Sequence, residues 1–329
     1  MTAASATLSR VAPIGTLARR NGWTLSLLAF LIGLLALTKV IQPGYGPIAV
    51  QGLGTSILPL ALAAVAQAVV VIGGGIDLSI GSMMALTSVV SASAMKGQGN
   101  EFGVAAVVGV LGLGLVLGAI NGGLVVVTRV PDIVVTLAMS FVWAGCALLV
   151  APRPGGGAAP WLKDVVLGPI GIDWIPKAAI VLIVVVAIVW IPLARSRLGL
   201  EIYAIGSNQL AAFRSGVSVG RTKFLAYVFT GLFSALAGLS LTASTGIGSP
   251  VPGPYTLLSV AAVVLGGVSL AGGRGGVFGP MVAVVVLQMI RTDMTFLNIN
   301  TNLAVVAQGV ILIGVVMFGS LVQLRRARG

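Results

Sequence analysis

Apolar residues in this chain fall into long blocks almost free of charge, separated by short intervals of Gly, Pro and basic residues. Neither strict alternation nor a narrow helical stripe runs through the blocks, so each is read as a helix that is apolar all round. Ten segments qualify, at about 24–41, 47–72, 79–95, 103–127, 133–150, 178–194, 223–245, 256–271, 275–291 and 302–322. Blocks near twenty residues match the hydrocarbon thickness of a bilayer. The pattern predicts an all-α polytopic membrane protein of about ten transmembrane helices.

One junction breaks the pattern. Val71-Ile72-Gly73-Gly74-Gly75-Ile76-Asp77-Leu78-Ser79-Ile80-Gly81-Ser82 lies within apolar sequence yet cannot continue a helix. Each glycine costs about 1 kcal/mol against alanine in a helix interior, and an aspartate deep in the bilayer costs about 2.5–3.5 kcal/mol on insertion scales. Broken backbone at that depth must be packed in protein or line a polar cavity. Asp77 is expected to cap the third span by accepting amide hydrogen bonds at Ser79 or Ile80; contact with a solute in transit is compatible with that role. The segment has an echo: Gly74-Gly75-Ile76-Asp77-Leu78-Ser79-Ile80-Gly81 aligns with Gly266-Gly267-Val268-Ser269-Leu270-Ala271-Gly272-Gly273. Paired glycine-broken segments point to a transport pathway and predict two pseudo-repeated halves, with Ser269 capping in the second copy.

Composition excludes a soluble domain, since 57% of the 329 residues are hydrophobic and only 8% charged. The formal charge of +12 is read as a topology signal and not as a nucleic-acid footprint. With the N-terminus inside, thirteen Lys and Arg fall on inner segments and six on outer ones, so both termini are expected in the cytoplasm. Residues 1–23 then form an inner tail with Arg10, Arg19 and Arg20, residues 24–322 the membrane domain, and residues 323–329 a second inner tail. The first apolar block is read as an uncleaved helix, because no small-x-small cleavage site follows it. Residues 151–176 form a Pro- and Gly-rich outer connection carrying Trp161 and Trp174, placed as interfacial aromatics. The glycines Gly109, Gly112, Gly114 and Gly118 are read as close helix packing. With no histidine, one cysteine (Cys146) and no nucleophile beside an identifiable base, neither a metal nor a catalytic site is expected.

The connection at about 195–222 is long, carries four arginines and falls inside. Asn208 is a good N-cap, Gln209 to Ser215 span about two turns, and Gly216 can take the left-handed conformation that ends them. Leu210 and Phe213 share a face. So short a helix is marginal alone in water, and a partner surface is expected for it.

Three blocks together carry a resemblance. They are Gly74-Gly75-Ile76-Asp77-Leu78-Ser79-Ile80-Gly81-Ser82, the loop Ala204-Ile205-Gly206-Ser207-Asn208 with Ala211-Ala212 and Ser215-Gly216, and Ala261-Ala262-Val263-Val264-Leu265-Gly266-Gly267-Val268-Ser269-Leu270-Ala271-Gly272-Gly273-Arg274-Gly275. In this order they resemble the hallmark blocks of the membrane permeases of ribose-type sugar importers of the ATP-binding-cassette (ABC) class, over roughly residues 45–320. Asn121-Gly122 and Thr136-Leu137 fit the same pattern. The resemblance implies a bacterial inner-membrane subunit that pairs with a second permease, with cytosolic ABC ATPases and with an external sugar-binding protein. It also implies that Gly206, Asn208, Ala211, Ala212 and Gly216 couple to the ATPase. Gly74, Gly75, Asp77, Ser79, Ser82, Asn121, Ser269, Gly272 and Gly273 become candidates for the pathway and its helix breaks. Three departures stand out: Leu210 replaces a frequent acidic residue, Pro280 follows Gly279 where threonine is common, and Arg291-Thr292-Asp293 replaces a typical Asn-Gly-Leu run near the outer face.

The chain has no G-x-x-x-x-G-K-[ST] phosphate loop, so energy must arrive through a partner. A self-contained secondary transporter or channel is the alternative, but ion-coupled carriers bury carboxylates or histidines as relays. Here only Asp77 qualifies, with Asp132 at a span end.

Overall fold

The computed structural model describes residues 22–251 and 253–299, together with single helical positions between Leu303 and Met317. Helices occupy the first nine expected segments: α1 (Gly22–Ile41), α2 (Pro47–Ile72), α3 (Ile80–Met95), α4 (Asn100–Thr128), α5 (Asp132–Val150), α7 and α8 (Lys177–Val185 and Ile191–Arg195), α11 (Val219–Thr245), α12 (Tyr255–Leu265) and α13 (Phe278–Phe296). Between them lie α6 (Pro160–Val166), α9 (Arg197–Ser207) and α10 (Gln209–Arg214). Among the described residues, six helices are long and apolar enough to cross a membrane: α1, α2, α4, α5, the α7–α8 rod and α11. The tenth expected segment, 302–322, and both tails lie largely outside the described residues.

Where the helices differ from expectation, local chemistry accounts for it. Between α7 and α8 the rod relaxes into a π turn over Val186–Trp190, just ahead of Pro192, whose ring cannot donate to the preceding turn. The eighth segment was expected to reach residue 271 but stops at Leu265, because Gly266-Gly267 form a helix stop. The outer connection is not wholly irregular. It holds α6 and a small antiparallel hairpin, β1 (Pro169–Ile170) with β2 (Ile172–Pro176), turned by Gly171 at φ +68°. Trp174 is exposed there, while Trp161 turns inward to donate to the Asn100 carbonyl at 3.2 Å.

The core is built around α2, whose residues from Leu58 to Ile72 are all buried. Against it packs α11, which also meets α3 and α4. Close approach of α4 and α11 depends on glycine. A methyl group at Gly231 would lie 2.7 Å from the Gly118 nitrogen, and one at Gly122 would lie 2.9 Å from the Phe224 carbonyl and the Tyr227 Cβ. Small residues at four-residue spacing let the two backbones touch, which is how helices gain dispersion energy in lipid. Gly114 and Gly118 fit the packing expectation. Gly109 and Gly112 do not, for nothing lies within 4 Å of their Cβ positions.

Two short helices start inside the structure. Gly81 N at the start of α3 donates to Thr256 Oγ1 at the start of α12 (3.0 Å). Eleven residues further along α3, Ala92 O accepts from Gly157 N of the hairpin-side connection (2.9 Å). At 1.5 Å per residue, the paired helix starts lie about 16 Å below that end, about half a hydrocarbon thickness.

Candidate functional site: a sealed helix break fastened to a loop helix

The α2 helix ends because its last amides are taken back by a glycine stop. Gly73 N bonds Val69 O, Gly74 N bonds Val71 O and Gly75 N bonds Val70 O, with Gly74 at φ +83°. The α12 helix ends the same way: Gly266 N bonds Ala262 O, Gly267 N bonds Val264 O and Val268 N bonds Val263 O, with Gly267 at φ +81°. Left-handed glycine closing a 6→1 bond is the Schellman stop. The echo in the sequence is therefore echoed in backbone geometry, but displaced by one: Gly74 corresponds to Gly267, not Gly266. After the stops the copies diverge. Ser269 caps no helix; its amide bonds the Arg274 carbonyl and its carbonyl accepts from Gly272 N in a turn.

Beyond the first stop, a buried polar chain holds the break closed. Asp77, wholly buried, accepts through Oδ1 from Ser79 N (2.8 Å) and Ser79 Oγ (2.6 Å). Ser79, not Asp77, occupies the N-cap position of α3; the carboxylate acts one step upstream, on the cap residue's own amide. Asn121 of α4 donates to Ser79 Oγ (2.7 Å), and Trp143 of α5 donates to Asn121 Oδ1 (3.1 Å). On the other side Gln67 of α2, in the amide orientation the network requires, donates to Asp77 O (2.8 Å) and accepts from Asp77 N (3.2 Å). Thr136 of α5 accepts from Leu78 N (3.0 Å) and reaches Ile76 O (3.2 Å). Three spans, α2, α4 and α5, thus supply partners to one broken segment, while the second carboxylate oxygen of Asp77, Oδ2, is buried without a hydrogen bond. Ser82, partly exposed on the first turn of α3, takes no part in this chain.

Two remote glycine segments meet the glycine stop at the α2 end. Gly273 N donates to Ile72 O (2.8 Å). Gly206, in the last turn of α9, packs on that pair: a methyl group there would run into Ile72 O and lie 2.6 Å from Gly273 N. At Gly272 a methyl would lie 2.9 Å from the Cα atoms of both Gly206 and Gly74. Tyr203 of α9 adds a hydrogen bond to Gly275 O (2.8 Å). Nearby, Lys223 and Asp132 form an ion pair at 3.1 Å, and Gly75 lies against the Asp132 carboxylate, leaving no space for a side chain.

These features agree with what the chain is similar to. Residues 48–316 match the family model described as branched-chain amino acid transport system / permease component. The ribose import permease protein of Escherichia coli strain K12 is 32% identical over 257 residues, covering 77% of this chain and 79% of that protein. The D-allose transport system permease protein of the same strain is 31% identical over 251 residues, covering 75% and 76%. The autoinducer 2 import system permease protein of Escherichia coli O9:H4 (strain HS) is 28% identical over 316 residues, covering 93% and 94%. The chain belongs to this family of import permeases. No solved structure matches it.

Seen in the permease, the residues expected to matter separate into two groups. Gly74, Gly206, Gly272 and Gly273 converge on one backbone junction, and Asp77, Ser79 and Asn121 on one polar chain. Ser82 and Ser269 stand apart from both. The loop helix α10 has the expected ends: Asn208 Oδ1 accepts from Ala211 N (2.9 Å), and Gly216, at φ +85°, follows the last turn with Val217 N bonded back to Ala212 O (3.0 Å). Ala212 is buried at 6% exposure, whereas Ala211 faces outward and Leu210 and Phe213 are 60% and 66% exposed. Gln67, Thr256 and Trp143 were not anticipated. For Gln67 a signal existed, because it is the one polar side chain between Ser56 and Gly73.

Proposed function

We propose that this permease lines the route by which a monosaccharide or related small polar solute crosses the bacterial inner membrane in an ABC importer. It acts as one of two permease subunits, identical or homologous, with cytosolic ATPases on the loop side and an external sugar-binding protein on the hairpin side. It performs no covalent chemistry itself. Both termini lie in the cytoplasm, ten helices cross the bilayer, and the two glycine-stopped helices α2 and α12 mark corresponding points of two pseudo-repeated halves. Supporting the sugar are the ribose and allose permeases among its relatives.

The observation that carries this reading is the exposed apolar pair Leu210 and Phe213 on a two-turn helix whose parent loop is seated on the helix break. An unpartnered apolar pair on so short a helix favours a docking surface. Any displacement of that helix by an ATPase passes through Gly206 to Ile72 and on to the Asp77 segment. Because Asp77 is fully buried, the closed break is a seal in this scheme, and transport requires it to open. Gly206, Asn208, Ala211, Ala212 and Gly216 are the coupling residues in this scheme, with Ala212 seating the helix on its own chain and Leu210 and Phe213 meeting the partner.

The test is reconstitution in liposomes with and without the ATPases, the binding protein and ATP. Uptake is expected only with all of them. The double substitution Leu210→Asp with Phe213→Asp is expected to lower permease-stimulated ATP hydrolysis at least tenfold while the protein still inserts. Uptake by the chain alone would establish a self-contained transporter instead.

A further inference from the structure

Between α2, α11, α12 and α13, near the hairpin end, lies a cavity of about 450 Å³. It is within the range of small-molecule sites, about 300–1,000 Å³, but its lining is unusually polar. Six hydroxyls face it, from Thr55, Ser56, Ser244, Thr245, Thr292 and Thr295. Each has a backbone carbonyl within reach of its single proton, three or four residues earlier in its own helix, and Thr245 Oγ1 lies equally near Ile247 O, two residues later. With the proton so committed, what each hydroxyl offers the cavity is an acceptor lone pair. Gln288 and Tyr255 add donors to the same lining, and a wall that offers both acceptors and donors suits a polyol, whose hydroxyls do both.

One cation shares the wall. Arg291 lines the cavity, and none of the chain's acidic side chains pairs with it. All seven Asp and Glu are within the described residues, and their ion pairs are Arg197 with Glu201 and Lys223 with Asp132. Asp293, two residues along, points away and accepts from Thr38 Oγ1 of α1 (2.6 Å). Arg291 is solvent-exposed at the outer end of α13, where its planar guanidinium fork, at the rim of the cavity, matches a carboxylate. Tyr255, which lines the cavity, is followed by Thr256, which binds Gly81 at the start of α3.

We infer that this cavity is a solute subsite for a sugar bearing a carboxylate, its hydroxyls bound by the threonine and serine acceptors and its charge by Arg291. The inference rests on the import-permease reading and narrows its substrate class from neutral sugars to sugar acids. Test it by equilibrium binding of radiolabelled D-glucuronate and D-glucose, which differ at one carbon, to the full chain in phosphatidylcholine nanodiscs. Glucuronate is expected to bind at least tenfold more tightly, equivalent to about 1.4 kcal/mol. Arg291→Gln is expected to bring the ratio to about one without weakening glucose binding, and Arg291→Lys to keep part of it. Equal binding of the two sugars, no saturable binding of either, or a preference that survives Arg291→Gln would each overturn the assignment. So would a ratio of one in the unaltered chain combined with loss of binding-protein docking in Arg291→Gln, which would make the cation a protein contact. None of these results bears on ATP-dependent uptake, which tests the permease reading separately.

Discussion

Replacing Gly206 by alanine probes the link between loop helix and helix break most directly. The added methyl meets two backbone atoms, Ile72 O and Gly273 N, and neither can turn aside as a flexible side chain would. Overpacking of this kind costs about 1–3 kcal/mol. Separating the pair also removes the 2.8 Å bond from Gly273 N to Ile72 O, worth about 0.5–1.5 kcal/mol. A total of about 1.5–4.5 kcal/mol shifts the seated-to-unseated ratio of the loop by about 12- to 1,600-fold, taking 1.4 kcal/mol per decade. Within the core the clash is confined to the last residue of α2, and the packing of α4 on α11 is not touched, so insertion and yield should stay normal. In proteoliposomes with the ATPases and binding protein, Gly206→Ala is expected to reduce uptake at least tenfold. Hydrogen exchange of the amides from residue 208 to 217 should rise in parallel. Gly276→Ala is the control, a glycine of the same region with nothing within 4 Å of its Cβ position; it should behave as the unaltered chain. Wild-type uptake and exchange in Gly206→Ala would refute the argument that this contact transmits motion.

Two further outcomes follow from the packing. Asn121→Leu removes both hydrogen bonds that join Trp143 to Ser79, leaving a buried indole N–H without its partner at about 1–3 kcal/mol; detergent-solubilised protein should show a lower thermal midpoint, and an unchanged midpoint would contradict the network. Gly118→Leu drives a side chain into the Tyr227 and Val228 backbone of α11 and should abolish accumulation of folded protein, whereas Gly112→Leu, with open space around it, should accumulate normally in the same membrane-fraction blot.

Much of this permease is legible without coordinates because the forces involved are local. Apolar block lengths placed α3 at 79–95 against the observed Ile80–Met95, and α5 at 133–150 against Asp132–Val150. Asn208 and Gly216 announced both ends of α10, since a cap or a left-handed stop involves residues only a few positions apart. The sequence likewise showed that the Asp77 break must be packed in protein or line a polar cavity, because lipid offers unpaired amides nothing. What packs it could not be read. That Gln67, Asn121 and Thr136 would be the ones to satisfy it, that Gly206 would rest on Ile72 and Gly273, and that Gly114 and not Gly112 would face α11 are all relations between residues brought together by helix packing. Nearly uniform apolar helices carry no amphipathic stripe to encode their facing, so which side of each looks inward is decided only when the whole bundle closes.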